Sequence, residues 1–183
     1  IFDFLVKTMG SSNFTSSRIK NLPIGVLRDL LNPAFVRILR LNCLNKYYKT
    51  IWQQFFNTSW KQQTWSTTDK RLSGFGHLES EWNWHTALRN HFERRMALIE
   101  IDIIVAMEIG LTLDQLITIY LTTFPLMQQY EAETYYDQKG RIVFTVNNAL
   151  NGVGLDRKKW ETVKDNPEGE IVRDTIKYEL HRG

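Results

Sequence analysis

At 183 residues the chain fits one domain, or one domain with an arm, and 43% hydrophobic against 23% charged residues is enough to fill a core. A single cysteine, Cys43, excludes an internal disulfide framework and a zinc cluster built on several thiolates. The net charge of +3 hides a polarity: residues 1–71 hold eleven Lys/Arg against three Asp/Glu, a balance of +8, and residues 72–183 hold twelve against seventeen, a balance of −5.

Residues 1–32 read as an N-terminal arm. Apolar stretches alternate with Ser, Thr and Asn, the run Gly10-Ser11-Ser12-Asn13 reads as a turn, and Phe14 to Ile19 as a short strand. Pro23 and Pro33 bracket a segment whose Val26, Leu27, Leu30 and Leu31 line one helix face. A helical bundle is expected over 33–134. Its first helix is predicted to start at an Asn32 cap with Pro33 in the first turn, where the missing N–H costs nothing. Val36, Leu39, Leu41, Leu44, Tyr48, Ile51, Trp52 and Phe55 extend it as one long amphipathic helix, with Arg37, Arg40, Lys46 and Lys49 on the other side.

Residues 57–80 lose this periodicity and read as an irregular loop with one helical turn, its Trp60 and Trp65 expected to be pinned into the core or against a missing domain in preference to lying on DNA with Lys61, Lys70 and Arg71. A second long helix follows, with Leu88, Phe92, Met96, Ile99, Ile103 and Ala106 as its seam. Gly110 ends it, and Thr112 with Gln115 makes a capping box for the next helix, whose expected buried face is Leu116, Ile117, Tyr120, Leu121 and Phe124. Pro125 starts a further helix to about Glu133. The two helices flanking Gly110-Leu111-Thr112 are expected to form an αα-hairpin, with the first basic helix as third member. The tail, 135–183, is expected to contain a hairpin, Tyr135-Tyr136 against Ile142-Val143-Phe144 with Gly140 in the turn, then a loop over 147–154, a helix over 157–164 and a strand over 171–180. The fold class is therefore mainly α, a helical bundle with an extended N-terminal arm and a small β-hairpin-containing tail.

Catalytic signatures are missing from this sequence. The spacing of His85 and His91 does not put them on one helix face, and His77 and His181 have no obvious companions. Cys43 lies among Leu41 and Leu44, where a cysteine acts as a small hydrophobe. No Gly-x-Ser-x-Gly elbow or phosphate-cradling Gly-x-x-x-x-Gly-Lys loop occurs, and Gly152-Val-Gly154 lacks the preceding strand that a dinucleotide or S-adenosylmethionine loop needs. The acids Glu131, Glu133 and those from Asp165 to Glu170 lack a Lys placed for nuclease chemistry and read as surface charge. Binding remains: Arg18, Lys20, Arg37, Arg40, Lys46 and Lys49 are candidate phosphate clamps on double-stranded DNA.

Several stretches resemble the C-terminal region of large bacterial S-adenosylmethionine-dependent DNA (adenine-N6) methyltransferases of restriction–modification and phage-defence systems. They are Arg37-Ile-Leu-Arg-Leu-Asn-Cys-Leu-Asn-Lys46, Gly110-Leu-Thr-Leu-Asp-Gln-Leu-Ile-Thr-Ile-Tyr120, the run from Phe124 to Thr145, and Asn151-Gly-Val-Gly-Leu-Asp-Arg-Lys-Lys-Trp160. Asn13-Phe-Thr-Ser-Ser-Arg-Ile-Lys-Asn-Leu-Pro-Ile24 is similar to the end of their target-recognition part. The resemblance implies a non-catalytic region assisting DNA engagement or target recognition, or a scaffolding module packed on the catalytic domain without DNA contact. Methyl transfer and S-adenosylmethionine then belong to an N-terminal catalytic domain of the same chain, so no catalytic, cofactor or metal residue carries over. Ile1 opens inside an apolar run and Tyr178–Gly183 ends inside an expected strand, so the chain reads as a piece of a longer protein. No signal peptide or membrane-length apolar run is seen, which makes the cytoplasm the expected compartment.

Overall fold

The computed structural model describes residues 31–146, 154–165 and 181–182. The expected arm, but for its last two residues, and the strand expected over 171–180 lie outside the described residues. The fold is mainly α: among the described residues six α-helices precede or flank a small antiparallel sheet near the C-terminal end. They are α1 (Leu31–Asn42), α2 (Lys49–Phe55), α3 (His91–Glu108), α4 (Leu113–Thr123), α5 (Pro125–Ala132) and α6 (Arg157–Val163).

The single long helix expected after Pro33 is two helices. It begins at Leu31, so Asn32 sits within its first turn, and it stops at Asn42. There the Asn42 side-chain amide donates to Ile38 O at 2.7 Å, and Asn45 accepts from Tyr47 N at 3.0 Å to cap a 3₁₀ turn at Lys46–Tyr48. Asparagines compete with the helical ladder in this way. The carbonyls released by the break find side-chain donors. Arg94 Nη1 donates to Leu41 O at 2.9 Å, Trp82 Nε1 to Cys43 O at 2.8 Å, and Arg89 Nη2 to Leu44 O at 2.9 Å. Two guanidiniums at a helix C-terminus also complement its dipole.

α1 packs along α3. The main core joins Val36, Leu39 and Cys43 of this first segment to Trp52 on α2 and to Trp60, Phe75 and Leu78 from the irregular stretch. Trp60 sits on a 3₁₀ turn at Thr58–Gln62 with ring centroids 5.5 Å from Trp52 and 5.8 Å from Phe56. Trp65 is half-buried against the same core, its Nε1 donating to Ser73 O at 2.9 Å. Trp60 is thus a core residue, and Trp65 packs at the edge of the core. A second cluster, Leu41, Leu88 and Ala97, seals α1 on α3.

The buried stripe of α3 differs from the expected seam. Phe92, Glu93, Ala97, Glu100 and Ala106 are buried, whereas Met96 and Ile99 are half-buried and Ile103 is exposed. The helix starts at an Asn90–Glu93 capping box and ends at Gly110, whose φ of +78° suits glycine. Thr112 and Gln115 form the expected box for α4, and Pro125 opens α5.

Strands β1 (Tyr135–Tyr136), β2 (Ile142–Phe144) and β3 (His181–Arg182) form an antiparallel sheet in the order β2-β1-β3. Asp137, fully buried, ties the hairpin turn: its carboxylate accepts from Lys139 N at 2.8 Å, Arg141 N at 2.9 Å and Arg141 Nε at 2.7 Å. Gly140, at φ +75°, accepts from Phe92 N at 3.0 Å and so docks the turn on the first turn of α3. α6 packs on the hairpin through Trp160, stacked on Phe144 at 4.8 Å.

Candidate functional site

The six cations expected to clamp phosphate do not form one surface. Arg18 and Lys20 lie outside the described residues. Arg37 and Arg40 were expected on an exterior face and are instead buried, at 4% and 0% exposure. Arg37 Nε is ion-paired with Glu100 of α3, while Nη1 donates to Pro33 O at 2.7 Å and Nη2 to Thr64 O at 2.8 Å. Its guanidinium carbon lies 5.0 Å from the centre of the Phe75 ring. Arg40 spends its donors on Thr86 O at 3.1 Å and Ser73 Oγ at 2.7 Å. Burial pushes its pKa down to about 10, offset in part by Glu93 and reinforced by Arg37. Both arginines hold the irregular 57–90 stretch onto α1.

The carboxylates that make this possible are the residues that sequence reading missed. Glu93 and Glu100 lie on α3 with Ala97 between them, one face of the helix at helical spacing. Glu93 accepts from Ser73 N at 2.8 Å and Asn90 N at 3.5 Å, and Glu100 accepts from Ser66 N at 2.7 Å. The only signal was spacing: Glu93 and Glu100 stand seven residues apart on one face of α3, and Arg37 and Arg40 three residues apart on another helix.

Lys46 and Lys49 are solvent-exposed where α1 turns into α2, and no carboxylate pairs with either among the described residues. Lys46 Nζ lies 6.0 Å from the Tyr47 ring, which is 83% exposed. Beside this corner the Arg89 guanidinium stands 3.2 Å from the centre of the exposed Trp84 ring.

Of the acids a nuclease would have to gather, those over 166–170 lie outside the described residues, and several described ones are engaged locally. Asp69 pairs with Arg71 at 2.8 Å, Glu79 with Lys61 at 2.8 Å, Asp137 with Arg141 at 2.7 Å, and Glu131 with Arg95 and the Tyr120 hydroxyl. Among the described residues no three His, Cys, Asp or Glu side chains converge as metal ligands. Cys43 is buried, and burial raises its thiol pKa. His77 Nε2 lies 3.2 Å from His85 O in an open hollow shared with Asn83, Arg89 and Glu93.

The largest departure from expectation is on α4 and α5, neither of which buries a residue. Leu116, Tyr120 and Phe124 are half-buried, but Ile117 and Leu121, expected in the same buried face, are exposed. With Leu113 they make a stripe at four-residue intervals, 67%, 44% and 57% exposed. Met107 at the end of α3, and Leu126 and Met127 on α5, extend the uncovered apolar surface. Among the described residues, no helix is long and apolar enough to cross a membrane. Comparisons with protein-family models, curated proteins and solved structures return no match to this chain.

Proposed function

We propose that this chain is a non-catalytic helical docking module of a DNA-modification methyltransferase, seated through α4 and its neighbours on another protein surface. The parent class rests on the sequence resemblance. The docking role rests on one observation: α4 carries six large apolar side chains in eleven residues and buries none of them. An isolated helix of that length is marginal in water and takes its stability from packing. Covering what Leu113, Ile117 and Leu121 still expose is worth about 1 kcal/mol per side chain.

The test has two parts. The expected result is that a protein carrying this chain beside a catalytic domain transfers a methyl group from S-adenosylmethionine to adenine in duplex DNA, and that Leu113→Ser/Ile117→Ser/Leu121→Ser lowers that activity while near-UV circular dichroism of the 183-residue chain stays unchanged. No methyl transfer removes the parent class, and a triple variant that unfolds cooperatively removes the docking surface.

Direct DNA contact is a second reading, narrowed to the corner of Lys46 and Lys49, which are exposed beside Tyr47 and Trp84. Two neutralised phosphates give a log–log salt slope of about −2, against about −4 for the four cations of 31–49 acting together. A slope near zero in a gel-shift titration ends this reading.

A further inference from the structure

We propose that the partner seated on α4 is a cationic amphipathic helix, with an apolar stripe flanked by Lys or Arg. This rests on the docking reading and adds the partner's chemistry. Residues 96–138, which supply α4, α5 and most of α3, contain seven Asp/Glu and not one Lys, Arg or His. Three of those acids are neutralised from outside the stretch: Glu100 by Arg37, Glu131 by Arg95 and Asp137 by Arg141. Glu108 and Glu133 are half-buried and Asp114 is exposed, and none forms an ion pair among the described residues. The charges that this stretch itself sets beside the uncovered apolar surface are thus all acidic; Arg95, from outside it, pairs with Glu131 and lies in reach of Asp102.

That rim selects among occupants. Phosphate-rich DNA and an anionic lipid surface meet like charge there, and a second copy joined through the same patch sets acids against acids about a two-fold axis. An apolar ridge bordered by cations satisfies both the stripe and its rim. The stripe from Leu113 to Leu121 spans about 12 Å, the length over which two helix turns of a partner lie in contact. Met107 and Met127 at its borders are unbranched and adapt to the shape of an incoming side chain.

The experiment titrates the 183-residue chain into dye-labelled peptides of about 18 residues and reads anisotropy. Three peptides are compared: a leucine-faced helix flanked by Lys, the same face flanked by Glu, and a scrambled Lys peptide of equal composition. The Lys-flanked helix is expected to bind at least about tenfold more tightly than the Glu-flanked one. Glu108→Gln/Asp114→Asn, which keeps the shape of both side chains, should erase that preference, and Ile117→Ser/Leu121→Ser should abolish binding. Equal affinity for the Lys- and Glu-flanked helices, lost together in the serine variant, overturns the cationic partner and leaves the docking face standing. Equal binding of the scrambled peptide also overturns it, because charge alone then suffices. Binding of neither helix overturns the docking face itself.

Discussion

Replacing Arg37 separates a structural cation from a DNA-facing one. Arg37→Met removes three donors at once, those to Glu100, to Pro33 O and to Thr64 O. It leaves the Glu100 carboxylate, 7% exposed, with Ser66 N–H as its remaining donor. Breaking a buried pair on one side costs about 3–5 kcal/mol, most of it the charge left behind. A domain of this size has about 5–15 kcal/mol in all, so the variant should lose about a fifth or more of its stability. Urea unfolding of the wild-type chain, Arg37→Met, Glu100→Met and the double variant forms a closed cycle. The double variant should recover much of the loss, since apolar groups of similar volume in place of both charges are close to neutral. Added salt should not mimic the effect, because the pair is out of reach of counterions. A loss in Arg37→Met below about 1 kcal/mol, accompanied by weaker DNA retention, would refute the assignment and return Arg37 to the surface.

Three smaller perturbations probe other joints. Gly140→Ala should cost clearly more than Gly110→Ala: both sit at positive φ, but a Cβ on Gly140 would come within 2.5 Å of Asn90 Oδ1, whereas Gly110 faces open space. Urea midpoints should show about 1 kcal/mol for Gly110→Ala from backbone strain alone; equal losses would contradict the docking of the turn on α3. Cys43, buried with its pKa raised, should react with a disulfide reagent only as fast as the chain unfolds, and a burst of thiol release from native protein would place it at the surface. Burial and Arg94 hold the His91 pKa below its ordinary 6.5, with Asp137 pulling the other way. The unfolded chain therefore binds the extra proton first, so this group's penalty is absent above pH 6.5 and grows as pH falls through the window down to its folded value. His91→Gln should flatten the decline in the urea midpoint over that window, and an unchanged profile would rule the group out.

Local chemistry was legible in the sequence where it acts locally. Gly110, the Thr112–Gln115 box, Pro125 and the Gly140 hairpin each fall where residue type alone places them, because a glycine at positive φ or a capping oxygen has few other uses. The break at Asn42–Asn45 was not legible, since it is secured by Trp82, Arg89 and Arg94, about forty to fifty positions further on. Periodicity also misled on α3. It credits apolar residues to the core and acids to solvent, whereas Glu93 and Glu100 lie inside because Ser73, Ser66 and Arg37 satisfy them. On α4 the error ran the other way: Ile117 and Leu121 have the spacing of a buried face and nothing among the described residues to bury it.

The charge polarity of the two halves takes on a different meaning once its members are placed. Much of the basic excess is spent internally. Arg40 reaches Thr86 O and Ser73 Oγ, Arg37 meets a carboxylate on α3, and Arg71 pairs with Asp69, while Arg89 and Arg94 from the other half close the end of α1. Guanidiniums suit this work because one planar fork satisfies several acceptors while its stem packs against aromatic rings. A stretch without regular secondary structure cannot saturate its own carbonyls, and here it borrows donors from the helix beside it and from its own arginines. Part of the basic composition of this half thus serves to fold a long irregular segment around α1, and among its described cations Lys46, Lys49 and Lys70 stay exposed. The acidic half employs Glu93, Glu100 and Asp137 internally, but not every acid in it. Its helices are regular, their ladders are self-satisfied, and Glu108, Asp114 and Glu133 stay beside an apolar surface that the chain itself leaves uncovered. The face that recognises a partner is therefore to be sought where charge has no structural employment, on α4, and not where it is most abundant.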